Sequence, residues 1–155
     1  MPLVRISLAA PRSASHRQAI ADAVHKALGE AFDVPLGDRF QIVTDSAEGT
    51  SLIRSDGYLG NSYTDDLAVI QITISEGRTL EKKRRLYGRI VELVGQNPGL
   101  RAQDVVINLV ETKKENWSFG EGVANYAEPE RAGGALAGGG SFARSLEAAR
   151  GFFAL

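Results

Sequence analysis

The sequence predicts an α+β fold with two layers, in which a four-stranded sheet carries two helices on one face. The chain has 155 residues, 43% hydrophobic and 24% charged, which is typical of a globular domain with a sizeable core. Two segments that begin at Pro2 and at Ala68 share one pattern of strand, break and helix, offset by 66 positions. A second apolar strand follows each helix, so a strand-helix-strand unit occurs twice.

The first repeat covers about residues 2–45. PLVRISL is rich in β-branched and other apolar residues, as strands are. Arg12 and Ser13 follow it, and the Ser13 hydroxyl can accept from the free backbone N–H groups of a helix's first turn. The predicted helix has an apolar face at helical spacing, formed by Ile20, Val24, Ala27, Leu28 and Phe32. DVPLGDRFQIVT then supplies the next strand.

The second repeat covers about residues 68–112 and has the same parts. AVIQITI is its first strand, Arg78 and Thr79 form its cap, and Leu86, Ile90 and Val94 form the apolar face of its helix. A helix that joins two strands implies that they run parallel with a right-handed connection. We expect the strands to be apolar on both sides, so that the open face of the sheet is buried by oligomerisation.

The remaining segments are predicted to be connections and a tail. DSAEGTSLIRSDGYLGNSYTDD, between the repeats, predicts a loop with a short hairpin. We assign residues 1–127 to one domain and 128–155 to a Gly/Ala-rich C-terminal tail. The glycine run of this tail should be flexible. Its last residues either form a short amphipathic helix that docks on a neighbouring subunit or stay disordered.

Composition excludes several classes of protein. The net charge of −1 offers no basic excess for nucleic acid, and the absence of cysteine excludes disulfides and thiol catalysis. No apolar run is long enough for a membrane span and no signal pattern opens the chain, so we expect a cytoplasmic protein. His16 and His25 are expected to be solvated positions of the first helix, and no metal site is predicted.

Pro2 is the first candidate for chemistry. Its repeat partner is Ala68, so the strand itself does not require a proline there. Removal of Met1 leaves Pro2 as a secondary amine, and α-amino groups titrate near neutrality, at a pKa of about 7.7–8.0. Apolar burial favours the neutral amine, a base, whereas a nearby carboxylate favours the cation, a general acid. The simpler interpretation is a proline that only begins a strand.

Arg78 is the second candidate. It precedes the second helix, where free N–H groups and the helix dipole favour an anion, and its guanidinium matches the two oxygens of a carboxylate. If the two repeats pair antiparallel about a local twofold axis, Pro2 comes close to this turn. Arg12 occupies the equivalent turn of the first repeat without such an amine, so an arginine here can also be structural.

A duplicated strand-helix-strand unit that begins Met-Pro resembles the tautomerase superfamily. GDRFQIVT around Asp38, GRTLEKK around Arg78 and ENWSFGEGVANY, from Glu115 to Tyr126, are similar to its malonate semialdehyde decarboxylase branch. WSFGxG after a strand is the most specific of these motifs. The resemblance covers about residues 2–127.

The resemblance implies a homotrimer in which Pro2, Asp38 and Arg78 are catalytic. Arg78 binds the carboxylate of a small substrate, and Asp38 interacts with a water molecule or with the proline amine. Asp104 stands at the equivalent place of the second repeat, so capping of a loop is the alternative role for both aspartates. No metal or organic cofactor is implied, and neither nucleic acid nor membrane is a partner.

Three aromatic residues complete the predicted site. The resemblance implies that Trp117, Phe119 and Tyr126 bind substrate, with Phe119 and Tyr126 forming an apolar wall, whereas the simpler interpretation is packing in a core or subunit contact. The decarboxylase branch carries two arginines separated by one residue before the second helix. Here that stretch is Glu76-Gly77-Arg78, so only the second arginine matches.

The implied reaction is cofactor-independent decarboxylation of a small β-keto acid, namely malonate semialdehyde to acetaldehyde and carbon dioxide, with Pro2 as general acid. Three alternatives stay open. A neutral Pro2 favours a keto-enol tautomerase of phenylpyruvate-like acids. A hydratase or dehalogenase of 3-haloacrylates is the second, although dehalogenation is expected to need another arginine and acid. The third is a non-enzymatic trimeric binding module that retains Met1.

Overall fold

The computed structural model describes residues 1–46 and 52–128. They belong to two compact units, Met1–Glu111 and the part of the chain from Thr112 onward. The predicted tail helix lies outside the described residues. No helix in the described ranges combines the length and apolar character needed to cross a membrane.

The first unit is built around a mixed four-stranded sheet in the order β2 (Phe40–Asp45), β1 (Leu3–Leu8), β5 (Ala68–Ser75) and β6 (Val105–Thr112). β1 pairs parallel with β2 and antiparallel with β5. This confirms the predicted α+β class and the antiparallel pairing of the two repeats. The strands and helices are β1 Leu3–Leu8, α1 Ala14–Phe32, β2 Phe40–Asp45, β3 Gly57–Tyr58, β4 Asn61–Ser62, β5 Ala68–Ser75, α2 Leu80–Gln96 and β6 Val105–Thr112, with short 3-10 helices at Ala102–Asp104 and Lys114–Asn116. β3 and β4 form the hairpin expected between the repeats.

Both helices begin at the predicted caps. The Ser13 hydroxyl accepts a hydrogen bond from the N–H of His16 at 3.2 Å, and the Thr79 hydroxyl accepts one from the N–H of Lys82 at 3.3 Å. Each cap residue has extended backbone angles while the following residues are helical. The two repeats therefore use the same local device to turn from strand into helix.

The core lies between the sheet and the two helices. Alternate strand residues contribute one layer, since successive side chains of a strand point to opposite faces: Val4, Ile6, Leu8, Ala68, Ile70, Ile72 and Ile74. The predicted helix faces contribute the other layer and are buried as expected: Ile20, Val24, Ala27, Leu28 and Phe32 from α1, and Leu86, Ile90 and Val94 from α2.

The opposite face of the sheet corrects the expectation of strands that are apolar on both sides. Along β5 the three isoleucines all face the core, whereas Gln71 is exposed on the other face and donates to the Asn108 side chain at 3.2 Å. Phe40 and Ile42 of β2 are 52% and 41% exposed. The open face is therefore mixed in polarity, because β5 follows a strict two-residue alternation.

The two histidines of α1 also differ from expectation. His25 is only 7% exposed, and its Nε2 shares a hydrogen bond with the Leu36 carbonyl at 3.0 Å. It lies one turn from Ala21 and Leu28, on the buried face of the helix. Burial, together with the positive charge of Arg12, lowers the pKa of His16. Among the described residues, no three His, Asp or Glu side chains are grouped as a metal ion requires.

Candidate active site

Pro2 and Asp38 lie at the same end of the sheet, just before two parallel strands. Leu3 pairs with Phe40 at the first position of the β1–β2 register, so Pro2, one residue before Leu3, and Asp38, two residues before Phe40, lie at the same end of the sheet. Pro2 is buried and Asp38 is half-buried. Neighbouring strands are about 4.8 Å apart. The fold thus brings the predicted acid to the entrance of the strand that Pro2 begins.

Arg78 reaches this end of the sheet from the other side. Because β1 and β5 are antiparallel and Leu3 pairs with Thr73, the start of β1 lies beside the end of β5. Arg78 is the third residue after Ser75, where β5 ends. The strand pairing therefore places the three residues predicted to be catalytic at the same end of the sheet.

The Arg78 side chain is held by two contacts within the first unit. Its Nη1 donates to the carbonyl oxygen of Ser75, and its guanidinium carbon lies 5.4 Å from the centre of the Phe32 ring. Phe32 is buried in the last turn of α1. A cation over an aromatic face is attracted by the ring's electrons, and the flat guanidinium suits this contact. The side chain is therefore partly ordered by the protein itself.

The backbone turn that carries Arg78 faces a carboxylate of the protein. Glu111, near the end of β6, forms an ion pair of 2.9 Å with Lys83. The hydrogen bond from Lys83, and the N–H groups of Arg78 and Gly77, lower the pKa of Glu111 against the opposing effect of burial. The turn amides that the sequence predicts to favour an anion thus face the carboxylate of Glu111.

The first repeat contains the same contact, 66 positions earlier. Oδ2 of Asp45 accepts from the N–H of Arg12 at 2.9 Å and from Nη1 of Arg17 at 2.8 Å. Asp45, Arg12 and Arg17 correspond to Glu111, Arg78 and Lys83. In each repeat, an acid at the end of the second strand binds the turn and a cation on the helix. Asp45 and Glu111 were not singled out from the sequence, although they occupy equivalent positions of the two repeats, 66 residues apart.

The guanidinium of Arg12 has a structural partner. It donates to the backbone carbonyl of Asp65 at 2.8 Å and to the side chain of Asp66 at 2.6 Å. Both residues belong to the connection that leads into β5. The arginine of the first repeat therefore holds the chain that enters the neighbouring strand.

Asp104 holds the same connection. It is fully buried, and its carboxylate accepts from the N–H of Thr64 at 2.7 Å and from the Thr64 hydroxyl at 2.8 Å. Asp104 thus has the loop-capping role that the sequence left open. In the other repeat, the equivalent residues Asp38 and Arg78 lie at the end of the sheet where β1 begins, and Pro2 precedes β1.

The three predicted substrate-binding aromatics lie in the second unit. Trp117 and Phe119 stack with ring centres 5.5 Å apart, and Phe119 meets Tyr126 edge to face at 5.2 Å. The Asn125 side chain accepts from the N–H of Phe119 at 2.7 Å and is 8% exposed. Asn125 was not singled out from the sequence, because its only signal is its place within the ENWSFGEGVANY motif.

Comparison with known proteins identifies the class of this enzyme. Two family models, both described as tautomerase enzyme, match residues 2–56 and 38–120. The probable tautomerase YrdN of Bacillus subtilis (strain 168) is 36% identical over 126 residues, which are 81% of this chain and 96% of that protein. The chain belongs to the tautomerase superfamily.

Two solved structures are similar over most of the chain. A malonate semialdehyde decarboxylase inhibited by 3-bromopropiolate is 39% identical, with a TM-score of 0.74 over 83% of this chain and 96% of that one. A second, solved as wild type, as a proline-to-alanine mutant at its first residue and in an inactivated form, is 28% identical, with a TM-score of 0.73 over 83% and 98%. The resemblance to this branch is thereby confirmed. A fused 4-OT symmetric trimer, 21% identical at a TM-score of 0.63 over 81% of this chain and 98% of that one, shares the fold.

Proposed function

We propose that this tautomerase-superfamily enzyme decarboxylates a small β-keto acid, namely malonate semialdehyde. The observation that carries the proposal is the convergence of Pro2, Asp38 and Arg78 at one end of the sheet. The likeness to two malonate semialdehyde decarboxylases supports the choice of substrate. The product is acetaldehyde, with release of carbon dioxide.

Pro2 acts as the general acid after removal of Met1. Its ring nitrogen then becomes a secondary amine at a buried position, where burial alone favours the neutral form. The Asp38 carboxylate favours the protonated form because opposite charges attract, and the Arg78 cation opposes it. The balance of these two neighbours sets the fraction of enzyme that can donate a proton.

Arg78 binds the substrate carboxylate and holds the breaking C–C bond perpendicular to the plane of the aldehyde. The electron pair of that bond moves into the carbonyl system as carbon dioxide leaves. Protonated Pro2 donates its proton to the developing enolate oxygen, which stabilises the charge formed in the transition state. The enol of acetaldehyde then becomes acetaldehyde, and Pro2 regains a proton from solvent. The reaction consumes one proton overall.

The substrate-binding role of Trp117, Phe119 and Tyr126 is part of this proposal. Their mutual ring contacts make a preformed apolar surface. Apolar side chains that exclude water from a bound carboxylate favour the loss of its charge. Phe119→Ala should therefore lower kcat/KM, measured on purified protein whose secondary structure is unchanged.

We propose a homotrimer as the active assembly. The exposed apolar residues Phe40 and Ile42 on the open face of the sheet offer contact area for another subunit, and the fused 4-OT protein of this fold is a symmetric trimer. Light scattering coupled to gel filtration should give about three times the 16.6 kDa mass of one chain. A monomeric mass would contradict the trimer.

A second candidate is keto-enol tautomerisation of a phenylpyruvate-like acid. The observation in its favour is that YrdN is a probable tautomerase. The same residues serve this reaction if Pro2 is neutral and moves a proton between oxygen and carbon. We propose hydration of an activated acetylenic acid, by a water at Asp38, as a side reaction of the same site, and the second decarboxylase structure concerns hydratase as well as decarboxylase activity.

The deciding experiment follows malonate semialdehyde by proton NMR, with parent enzyme and with Pro2→Ala. Intact mass first establishes that Met1 has been removed. Acetaldehyde formed by the parent but lost in Pro2→Ala supports the proposal, and formation no faster than in buffer excludes it. Ketonisation of phenylpyruvate enol without decarboxylation favours the second candidate, and a retained Met1 without either activity favours a binding module.

A further inference from the structure

The acids that end the second strand of each repeat share one arrangement. Glu111 pairs with Lys83 at 2.9 Å, and Asp45 pairs with Arg17 at 2.8 Å. In both places the carboxylate also faces the backbone N–H of the arginine in the turn, which for Asp45 is a hydrogen bond of 2.9 Å from Arg12. Ion pair and backbone contact together tie the end of a strand to the start of a helix.

This arrangement matters more in the second repeat because the turn carries Arg78. The Arg78 guanidinium contacts the Ser75 carbonyl and the Phe32 ring. The position from which the side chain extends is set by the backbone of Gly77 and Arg78. Gly77 has a φ of 111°, a conformation that only glycine adopts without strain. A glycine in the turn adds backbone freedom, and the contact of Glu111 with the turn amides restricts that freedom.

We propose that Glu111, held by Lys83, is a positioning residue that fixes the Gly77–Arg78 turn and so aims the Arg78 guanidinium at the substrate carboxylate. Glu111 itself does not touch the substrate. Its second effect is selective, because it faces the turn amides and thereby directs the bound anion towards the guanidinium. This inference rests on the proposed function, in which Arg78 binds a carboxylate.

Asp45 supplies a matched control within the same chain. Asp45→Asn breaks the equivalent contact of the first repeat, whose arginine is bonded to Asp65 and Asp66. If these acids only brace the fold, Asp45→Asn and Glu111→Gln should behave alike. If Glu111 positions Arg78, both variants lose stability but only one loses anion binding.

The test measures anion binding separately from turnover, with malonate as a non-reacting carboxylate probe. Amide NMR signals of Gly77 and Arg78 are followed during malonate titration of the parent, Glu111→Gln and Asp45→Asn. We expect Glu111→Gln to raise the malonate Kd and the substrate KM about tenfold while kcat changes about threefold or less. Asp45→Asn should leave the malonate Kd within about twofold of the parent value.

A rescue variant addresses loss of folding. Glu111→Asp combined with Lys83→Arg copies the acid and cation of the first repeat, where the shorter acid meets the longer cation. We expect this double variant to bind malonate within about threefold of the parent. The inference is overturned if the malonate Kd rises equally in Glu111→Gln and Asp45→Asn, or does not change in Glu111→Gln. It is also overturned if the double variant does not restore malonate binding, or if the parent shows no response to malonate.

The same data separate the two proposals. A parent that binds malonate with the expected variant pattern but produces no acetaldehyde leaves the positioning role intact and removes decarboxylation. A parent that produces acetaldehyde while Glu111→Gln binds malonate normally removes the positioning role alone.

Discussion

The two ends of the sheet contain the same residue types in different surroundings. At one end, Arg12 and Asp104 bind residues 64–66, the connection that leads into β5. At the other end, Arg78 and Asp38 lie beside the start of β1, where Pro2 is found. The comparison teaches that an arginine and an aspartate at equivalent places of a repeat take their roles from the segment that faces them.

The two aspartates differ in burial accordingly. Asp104 is fully buried with two hydrogen bonds from Thr64, which offset the cost of removing a carboxylate from water. Asp38 is only half-buried. A connection of the chain occupies the first end, whereas we assign the second end to a substrate.

The largest expected difference is between Arg78→Ala and Arg12→Ala. Arg78→Ala should lower kcat/KM for malonate semialdehyde about 10³-fold, because the substrate carboxylate loses its charged partner. Arg12→Ala should keep kcat/KM within about threefold and reduce the free energy of unfolding by about 1–2 kcal/mol, through loss of the contacts to Asp65 and Asp66. Steady-state kinetics and urea unfolding measure the two effects. Equal losses of activity would contradict the assignment of the two ends.

The next comparison is between Asp104→Asn and Asp38→Asn. Asp104→Asn should reduce the free energy of unfolding by about 2–3 kcal/mol, since an amide replaces a buried carboxylate that accepts two hydrogen bonds. Asp38→Asn should cost less than about 1 kcal/mol, as is usual for a half-exposed position. It should instead lower kcat and shift its pH profile to lower pH, because Pro2 loses the carboxylate that favours its protonated form. An unchanged profile would remove Asp38 from the mechanism.

A smaller effect concerns acid unfolding. The pKa of Asp45 is lowered mainly by the hydrogen bond from the backbone N–H of Arg12, followed by the one from the Arg17 side chain. The pKa of Glu111 is lowered mainly by the hydrogen bond from the Lys83 side chain. A carboxyl with a lowered pKa in the folded state stabilises above its unfolded pKa, and that stability is lost as the pH falls further. The double variant Asp45→Asn, Glu111→Gln should therefore show a smaller decrease of the thermal unfolding midpoint than the parent between about pH 5 and pH 3. An equally steep fall would exclude these two acids as contributors.

The smallest expected effect tests what the repeats share. Ser13→Ala and Thr79→Ala should each reduce the free energy of unfolding by about 1 kcal/mol, because each removes one side-chain acceptor from a helix N-terminus. Thermal unfolding at one pH measures both. Costs that differ by more than about 1 kcal/mol would show that the two caps are not equivalent.

Local features of the sequence predicted most of the fold. The caps at Ser13 and Thr79, the buried helix faces and the hairpin between the repeats all follow from short-range chemistry or periodicity. The antiparallel pairing of the repeats was a hypothesis from the sequence, and the structure confirms it. The buried position of His25 and the mixed polarity of the open face of the sheet were not predicted. The type of a residue indicates only how often such residues are buried. Whether a particular residue is buried depends on which face of its helix or strand it occupies.

The sequence by itself determined the elements, their duplication and the residue types that could form a site, because capping, periodicity and chemistry act over a few positions. Only the tertiary structure decided which segments meet. It brought Thr64 to Asp104, Asp66 to Arg12, and Glu111 to the turn of Arg78. These pairs are tens of residues apart, and their contact depends on strand order and register, which no local pattern encodes.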